Sequence, residues 1–175
     1  HTVCDNEGGA RLDHTMISVG SSDVRLEREL LHSQGGFAWW YLDVLDEEGS
    51  GVVIIAAFGL PFLPGYASSA RAGSAPSAGE RPSLNIAGDE RGEAVFYLLR
   101  EHSPEDCSWE EDGEGAQMGR SHLRSAQLGE TRSVEVVLDV DVPHLSERLT
   151  GTIRIDGPVL RNASAVNSGT HRWTP

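Results

Sequence analysis

The stretch from residue 35 to residue 60 constrains the fold more than any other part of the chain, and it reads GGFAWWYLDVLDEEGSGVVIIAAFGL. Two runs rich in aromatic and β-branched residues flank the polar segment 46–51, which is typical of two antiparallel strands joined by a hairpin loop. Alternation divides the first run into two faces, Phe37, Trp39, Tyr41 and Asp43 on one and Ala38, Trp40, Leu42 and Val44 on the other. Because both faces carry aromatic bulk, we predict a hairpin in the middle of a β-sheet, with one face on a core and the other on a cavity, a second sheet or a partner.

Shorter strand patterns follow along the chain, separated by Gly-, Asp- and Pro-containing turns. They cover residues 83–87, 94–102, 121–127, 133–142 and 149–156, with a further short candidate at 16–19. Residues 23–31 fit either an irregular strand or one amphipathic helical turn. Since no helix longer than about two turns is indicated, the pattern predicts an all-β antiparallel barrel or sandwich.

Three segments of the chain lack a strand pattern. Residues 61–66 contain two prolines and are expected to form an ordered apolar loop. Residues 67–81 are rich in Ser, Ala, Gly and Pro, which is typical of a disordered or crossover loop, or of a lid. The N-terminal residues 1–14 are polar and glycine-containing, so we expect a flexible arm.

The composition excludes several classes of partner and chemistry. The formal charge of -13 disfavours binding to nucleic acid or to anionic membranes, which attract basic surfaces. The chain has no lysine, so it cannot itself form a lysine Schiff base. The two cysteines, Cys4 and Cys107, suggest thiols rather than a disulfide framework. No apolar run approaches the ~20 residues of a membrane span, and we expect a soluble, cytoplasmic protein.

Common cofactor signatures are missing from the sequence. It contains no G-x-G-x-x-G after a strand, no P-loop and no G-x-S-x-G, and its histidines do not form pairs at metal-ligand spacing. We therefore expect no bound nucleotide, flavin or catalytic metal.

Polar residues within the apolar strands are the best candidates for chemistry. Asp43 shares a face with Trp39 and Tyr41, Glu101 shares one with Tyr97, and Asn85 lies between two apolar residues. A carboxyl group in an aromatic, water-poor pocket is favoured in its neutral form, so it can act as a proton donor. The alternative is that both acids stand at strand ends and meet water or an arginine.

Several segments resemble, in order and spacing, the first half of the carotenoid 1,2-hydratase (hydroxyneurosporene synthase) family. They are GGFAWWYLDVLDEEGSGVVIIAAFG, RPSLNIAG, VFYLLRE and the terminal HRWTP, and they cover roughly residues 35–175. The resemblance implies two tandem lipocalin-like β-barrel domains, related to cofactor-free Diels-Alder cyclases. Residues 15–175 would form the first domain, and a second domain or chain would complete the protein.

The resemblance further implies an apolar pocket for a hydrophobic polyene, which could be a carotenoid, a terpenoid or a polyketide. Glu101 matches the glutamate that follows the corresponding strand of the family and is the first candidate for proton donor, with Asp43 in reserve. The expected substrate-binding residues are Trp39, Trp40, Tyr41, Asn85, Tyr97 and Trp109. The reaction would be cofactor-independent hydration or cyclisation. A carrier of an apolar molecule, or a structural half-domain, is the alternative.

Overall fold

In a computed structural model, the chain is described over residues 31–32, 34–60, 62–74, 76–110, 114–143 and 146–159, and by backbone alone over 166–168 and 171–173. The strands are β1 (Ala38–Leu45), β2 (Gly51–Phe58), β3 (Pro82–Glu90), β4 (Glu93–Glu101), β5 (Cys107–Trp109), β6 (Gly115–Met118), β7 (Ser121–Leu128), β8 (Thr131–Asp141), β9 (Arg148–Pro158), β10 (Val166–Ser168) and β11 (His171–Trp173). The all-β, antiparallel prediction is confirmed. The arm 1–14, the candidates at 16–19 and 23–30, and Cys4 lie outside the described residues.

The first sheet is a four-stranded antiparallel meander in the order β1-β2-β3-β4. Its first hairpin is the predicted one, with Ala38 opposite Phe58 at one end and Leu45 opposite Gly51 at the other. The Asp46 carboxylate accepts a hydrogen bond from the backbone of Ser50 at 2.7 Å and closes the turn. The predicted central position is wrong for β1, because this strand lies at the edge of the sheet formed by the described residues.

The second sheet contains five strands in the order β5-β6-β7-β8-β9. Strands β7, β8 and β9 confirm the patterns seen at 121–127, 133–142 and 149–156. Strands β5 and β6 were not predicted, because they are short and lie in an acidic, glycine-containing segment. Strands β10 and β11 form a separate two-stranded pair.

The two sheets pack face to face around one apolar core. Buried residues from both contribute to it, including Ile54, Phe58 and Ile86 from the first sheet and Met118 and Val136 from the second. These side chains fill the space between the sheets, which retains a cavity of about 10 Å³ beside Ile54 and Val136. Ligand pockets are typically about 300–1,000 Å³, so this cavity does not match the predicted apolar pocket inside the barrel.

The segment between β2 and β3 covers one end of the first sheet on its other side. Leu60, Leu63 and Tyr66 are buried there against Ala57. The Tyr66 hydroxyl donates a hydrogen bond to the carbonyl of Gly36. Residues 67–81, predicted as a loop without regular structure or a lid, instead contain most of helix α1 (Tyr66–Arg71) and a 3-10 turn (Ala78–Glu80).

Gly59 makes this close approach possible. Its φ is +68°, and a Cβ there would lie 2.5 Å from the carbonyl oxygen of Gly36 and from the hydroxyl of Tyr66. Only glycine fits both the conformation and the space.

Among the described residues, no helix is both long enough and apolar enough to cross a bilayer.

Candidate functional site

One face of the first sheet brings together most of the predicted site residues. We call it the outer face, because it points away from the second sheet. Strand pairing places on it Trp39, Tyr41, Asp43, Asn85, Tyr97 and Glu101. These residues are scattered over more than sixty positions of the sequence, and only the register of four strands places them side by side.

The register arranges the outer face in rows that cross all four strands. One row runs Asp43, Val53, Ala87, Tyr97 from β1 to β4. The neighbouring row runs Tyr41, Ile55, Asn85, Leu99. Because Val53 and Ala87 are short, the first row forms a shallow trough with larger side chains at its ends. We call this row the trough. Its floor residues, Val53 and Ala87, were not singled out from the sequence, because nothing in it specifies which residues become cross-strand neighbours.

The outer face exposes large apolar side chains to solvent. The exposed fraction is 57% for Tyr41 on β1 and 67% for Tyr97 on β4, and Val95, two residues before Tyr97, is 61% exposed. Exposed apolar patches of this kind mark binding surfaces for ligands or partners.

The outward face of the second sheet has the opposite chemistry. Arg120 lies 3.2 Å from Asp139, Arg124 lies 2.6 Å from Glu110, and His122 lies 3.5 Å from Glu135. Charged pairs of this kind are typical of a solvated face. The contrast between the two sheets makes the outer face of the first sheet the better candidate for contact with a ligand or partner.

Tyr41 and Asp43 form a hydroxyl–carboxylate pair on β1. The Tyr41 hydroxyl donates a hydrogen bond to Asp43 Oδ2 at 3.4 Å. Partial burial, followed by the nearby charge of Asp43 and this hydrogen bond, raises the pKa of the Tyr41 phenol above its usual value. The tyrosine thus keeps its proton, and the pair places one carboxylate beside the aromatic ring of Tyr41.

Asn85 and Tyr97 form a second polar pair, on β3 and β4. Asn85 Nδ2 donates a hydrogen bond to the Tyr97 hydroxyl oxygen at 2.9 Å. Asn85 lies between Ile55 and Leu99 in its row, so a polar group interrupts an otherwise apolar part of the face. A tyrosine oxygen that accepts a hydrogen bond still carries its own proton for donation.

Glu101 lies at the covered end of the outer face and is paired. Arg81 Nε and Glu101 Oε1 are 2.5 Å apart, and this contact raises the pKa of the Arg81 guanidinium. The carboxyl points with Tyr97 to the outer face and not into the interior between the sheets. The sequence showed that Arg100 would point away from Glu101, but it did not show that Arg81, twenty residues earlier, would meet it.

Trp40 and Trp109 lie on the other side of the sheet, in the core. The Trp109 ring is 5.0 Å from that of Phe58 in an edge-to-face arrangement, and Trp40 is 6.2 Å from the same ring. The structure therefore separates these two tryptophans from the outer face. Trp39 packs differently, with its ring stacked 5.2 Å from Phe37 and 6.5 Å from Phe62. As predicted, both Trp39 and Trp40 are more than half buried, one outside the sheet and one in the core.

The described residues contain no group of three or more His, Cys, Asp or Glu side chains placed to hold a metal ion. Cys107 is a free, half-buried thiol on β5.

Comparison with known proteins relates part of the chain to one enzyme. Over 76 residues, or 42% of the chain, the sequence is 41% identical to an acyclic carotenoid 1,2-hydratase of Thiocapsa roseopersicina. The matched region is 18% of that enzyme's length, so the chain spans a small part of this relative. No family model matches the chain. No solved structure matches it either.

Proposed function

We propose that the outer face of the first sheet is one wall of a site for a hydrophobic polyene, on which the protein adds water to a double bond without a cofactor. The observation that supports this most is the concentration of Trp39, Tyr41, Asp43 and Tyr97 on one exposed apolar face. The partial similarity to a carotenoid hydratase is the basis for the substrate class and the reaction that we propose.

Asp43 is the group that would donate the proton and later accept one. In its protonated form it donates the proton to one alkene carbon, and the π bond breaks to leave a carbocation on the other. A water molecule then forms the new C–O bond and returns a proton to the Asp43 carboxylate, so the net change is addition of one water. The face of Tyr41 would stabilise the cation, as aromatic rings stabilise other cations.

Asp43 replaces Glu101 as our first candidate for the acid. Glu101 is held in an ion pair by Arg81, with Arg81 Nε 2.5 Å from Glu101 Oε1. Asp43 has a neutral hydroxyl as its neighbour.

An open sheet face needs a second wall. Ligand sites usually bury about 70–90% of the ligand surface, which one side of a sheet does not achieve. We infer that a second lipocalin-like domain or another chain closes over Tyr41, Val95 and Tyr97. Their exposure in the structure supports this arrangement.

Binding and turnover of lycopene, an acyclic carotenoid, test the proposal. The protein is titrated with lycopene in detergent while tryptophan fluorescence is recorded, and the extracted pigment is analysed by mass spectrometry after incubation in isotopically labelled water. Binding together with a product that carries labelled oxygen is the expected result. A product that is an isomer of lycopene, with unchanged mass, would indicate cyclisation instead of hydration. Binding of lycopene without any product would indicate a carrier. Absence of binding when the domain or chain that forms the second wall is also present would contradict the site.

A further inference from the structure

The trough across the first sheet has different polar groups at its two ends. Asp43 stands on β1 at one end, and Tyr97, supported by Asn85, stands on β4 at the other. The residues between them, Val53 and Ala87, are apolar and small. A linear ligand in the trough would therefore meet a polar group only at its two ends.

The two ends offer different hydrogen-bonding capacities. At Asp43, the neighbouring Tyr41 proton is already directed to the carboxylate. At Tyr97, the hydroxyl oxygen accepts from Asn85, so among the described residues its own proton has no acceptor. Tyr97 thus presents a hydrogen-bond donor to anything that lies on the exposed face.

The charge around the trough restricts what this donor can bind. Asp46, Glu47 and Glu48 stand in the β1–β2 turn, and Asp89 and Glu90 stand at the end of β3 beside it. Like charges repel an anionic head group at this end of the sheet, so a carboxylate or phosphate is disfavoured. A neutral oxygen, such as a hydroxyl or a carbonyl, accepts a hydrogen bond without this repulsion.

We infer that the Asn85–Tyr97 pair anchors a neutral oxygen at one end of a linear apolar ligand and holds the reacting end at Asp43. This inference rests on the proposed function, and it names the substrate class more closely as a polyene with a terminal hydroxyl or carbonyl group. The anchor and Asp43 are separated by three strand spacings of about 4.8 Å, or roughly 14 Å. An oxygen bound at Tyr97 would therefore position a double bond well along the chain of the ligand.

A matched pair of ligands and three variants test the anchor. The probes are geranylgeraniol, a linear polyene alcohol, and the hydrocarbon with the same carbon skeleton that lacks the hydroxyl. Binding of each is measured by tryptophan fluorescence to the unmodified chain and to Tyr97→Phe, Asn85→Leu and Thr152→Val. The last variant alters a residue on the outward face of the second sheet, far from the trough, and is the control.

The unmodified chain should bind the alcohol more tightly than the hydrocarbon by about fivefold, the effect of one hydrogen bond between neutral groups. In Tyr97→Phe the two probes should bind equally, because only the binding of the alcohol is weakened. The ring and its apolar contact area remain, so binding of the hydrocarbon should not change. Asn85→Leu should reduce the ratio in part, and Thr152→Val should leave it unchanged. Circular dichroism verifies that each variant folds.

The failures of the two proposals are distinguishable. If the alcohol and the hydrocarbon bind equally to the unmodified chain, the anchor is wrong while the apolar site stands. If the alcohol is preferred but Tyr97→Phe retains the preference, the anchor lies elsewhere and the inference is again overturned. If neither probe binds when the domain or chain that forms the second wall is also present, the proposed site and the anchor both fail.

Discussion

The hydroxyl of Tyr41 donates a hydrogen bond to the carboxylate of Asp43, two residues along the same strand and on the same face of the sheet. This pair places the only carboxylate of the trough next to an aromatic ring on an exposed apolar surface. Glu101, the other candidate acid, lies at the covered end of the same face and is bound by Arg81. We therefore expect substitutions of the two acids to have different effects on turnover.

Asp43→Asn should lower turnover of a polyene about 10²- to 10⁴-fold, the usual contribution of a general acid, and should leave binding nearly unchanged. Turnover and binding of lycopene are measured on the same preparations. Glu101→Gln is assayed in parallel, and we expect the smaller loss there, because its role is to hold Arg81. Full activity of Asp43→Asn combined with a large loss in Glu101→Gln would restore Glu101 as the acid. Full activity of both would favour cyclisation by orientation alone.

Phe58→Ala should lower the free energy of unfolding by about 3–5 kcal/mol, the typical cost of removing a large buried aromatic side chain. Phe58 is buried between the sheets, against Trp40 and Trp109. Tyr97→Ala, on the exposed face, is the comparison and should cost about 1 kcal/mol or less. Urea denaturation measures both variants. Equal losses would mean that the outer face is as important for stability as the core.

His102 should make stability fall as the solution becomes more acidic. Burial, with a contribution from the charge of Arg100, lowers the pKa of this imidazole below 6.5, and its Nε2 is buried without a hydrogen-bond partner. As the pH falls through about 6.5, the unfolded chain takes up a proton that folded His102 resists. The unfolded state then binds more protons, so the free energy of unfolding decreases until folded His102 is itself protonated.

The measurement is the free energy of unfolding of the protein and of His102→Gln between about pH 5 and pH 8, the range in which histidine titrates. Other groups contribute equally to both proteins, so the difference between the two curves isolates His102. We expect the difference to vary with pH only below about 6.5, the unperturbed value. A constant difference over the whole range would show that His102 has no such effect.

Arg132→Met should lower the free energy of unfolding by about 1–3 kcal/mol, because it removes one partner of a largely buried ion pair and leaves the Glu114 carboxylate without it. Arg132 is 8% exposed and donates to Ser125 Oγ at 2.9 Å, but its Nε and Nη2 atoms have no hydrogen-bond partner. Its Nη2 lies 3.7 Å from Glu114 Oε1, outside hydrogen-bonding distance. Thermal unfolding of the two proteins is compared, and a gain of stability in the variant would show that the unbonded Nε and Nη2 atoms cost more than the ion pair and the Ser125 hydrogen bond contribute.

Local sequence patterns were sufficient to predict most strands of the fold. The alternation of residues 37–44, the turn at 46–51 and the apolar runs after residue 82 correctly predicted β1 to β4 and β7 to β9. The same alternation placed Trp39 and Trp40 on opposite faces of one strand. Strands β5 and β6 were not predicted. Three or four residues are too few to show the two-residue period of a strand, and the residues next to them in the sequence are acidic.

The candidate site depended on contacts between distant parts of the chain. The residue types were recognisable from the sequence, because a carboxylate, an amide and aromatic rings stand out within apolar strands. Which of them meet is a matter of strand order and register, so the alignment of Asp43 with Tyr97 follows only from the pairing of four strands. Side-chain alternation is a local property of the backbone, whereas the neighbours of each face are set by how the sheets pack. That packing filled the interior, left the outer face open and brought Arg81 to Glu101.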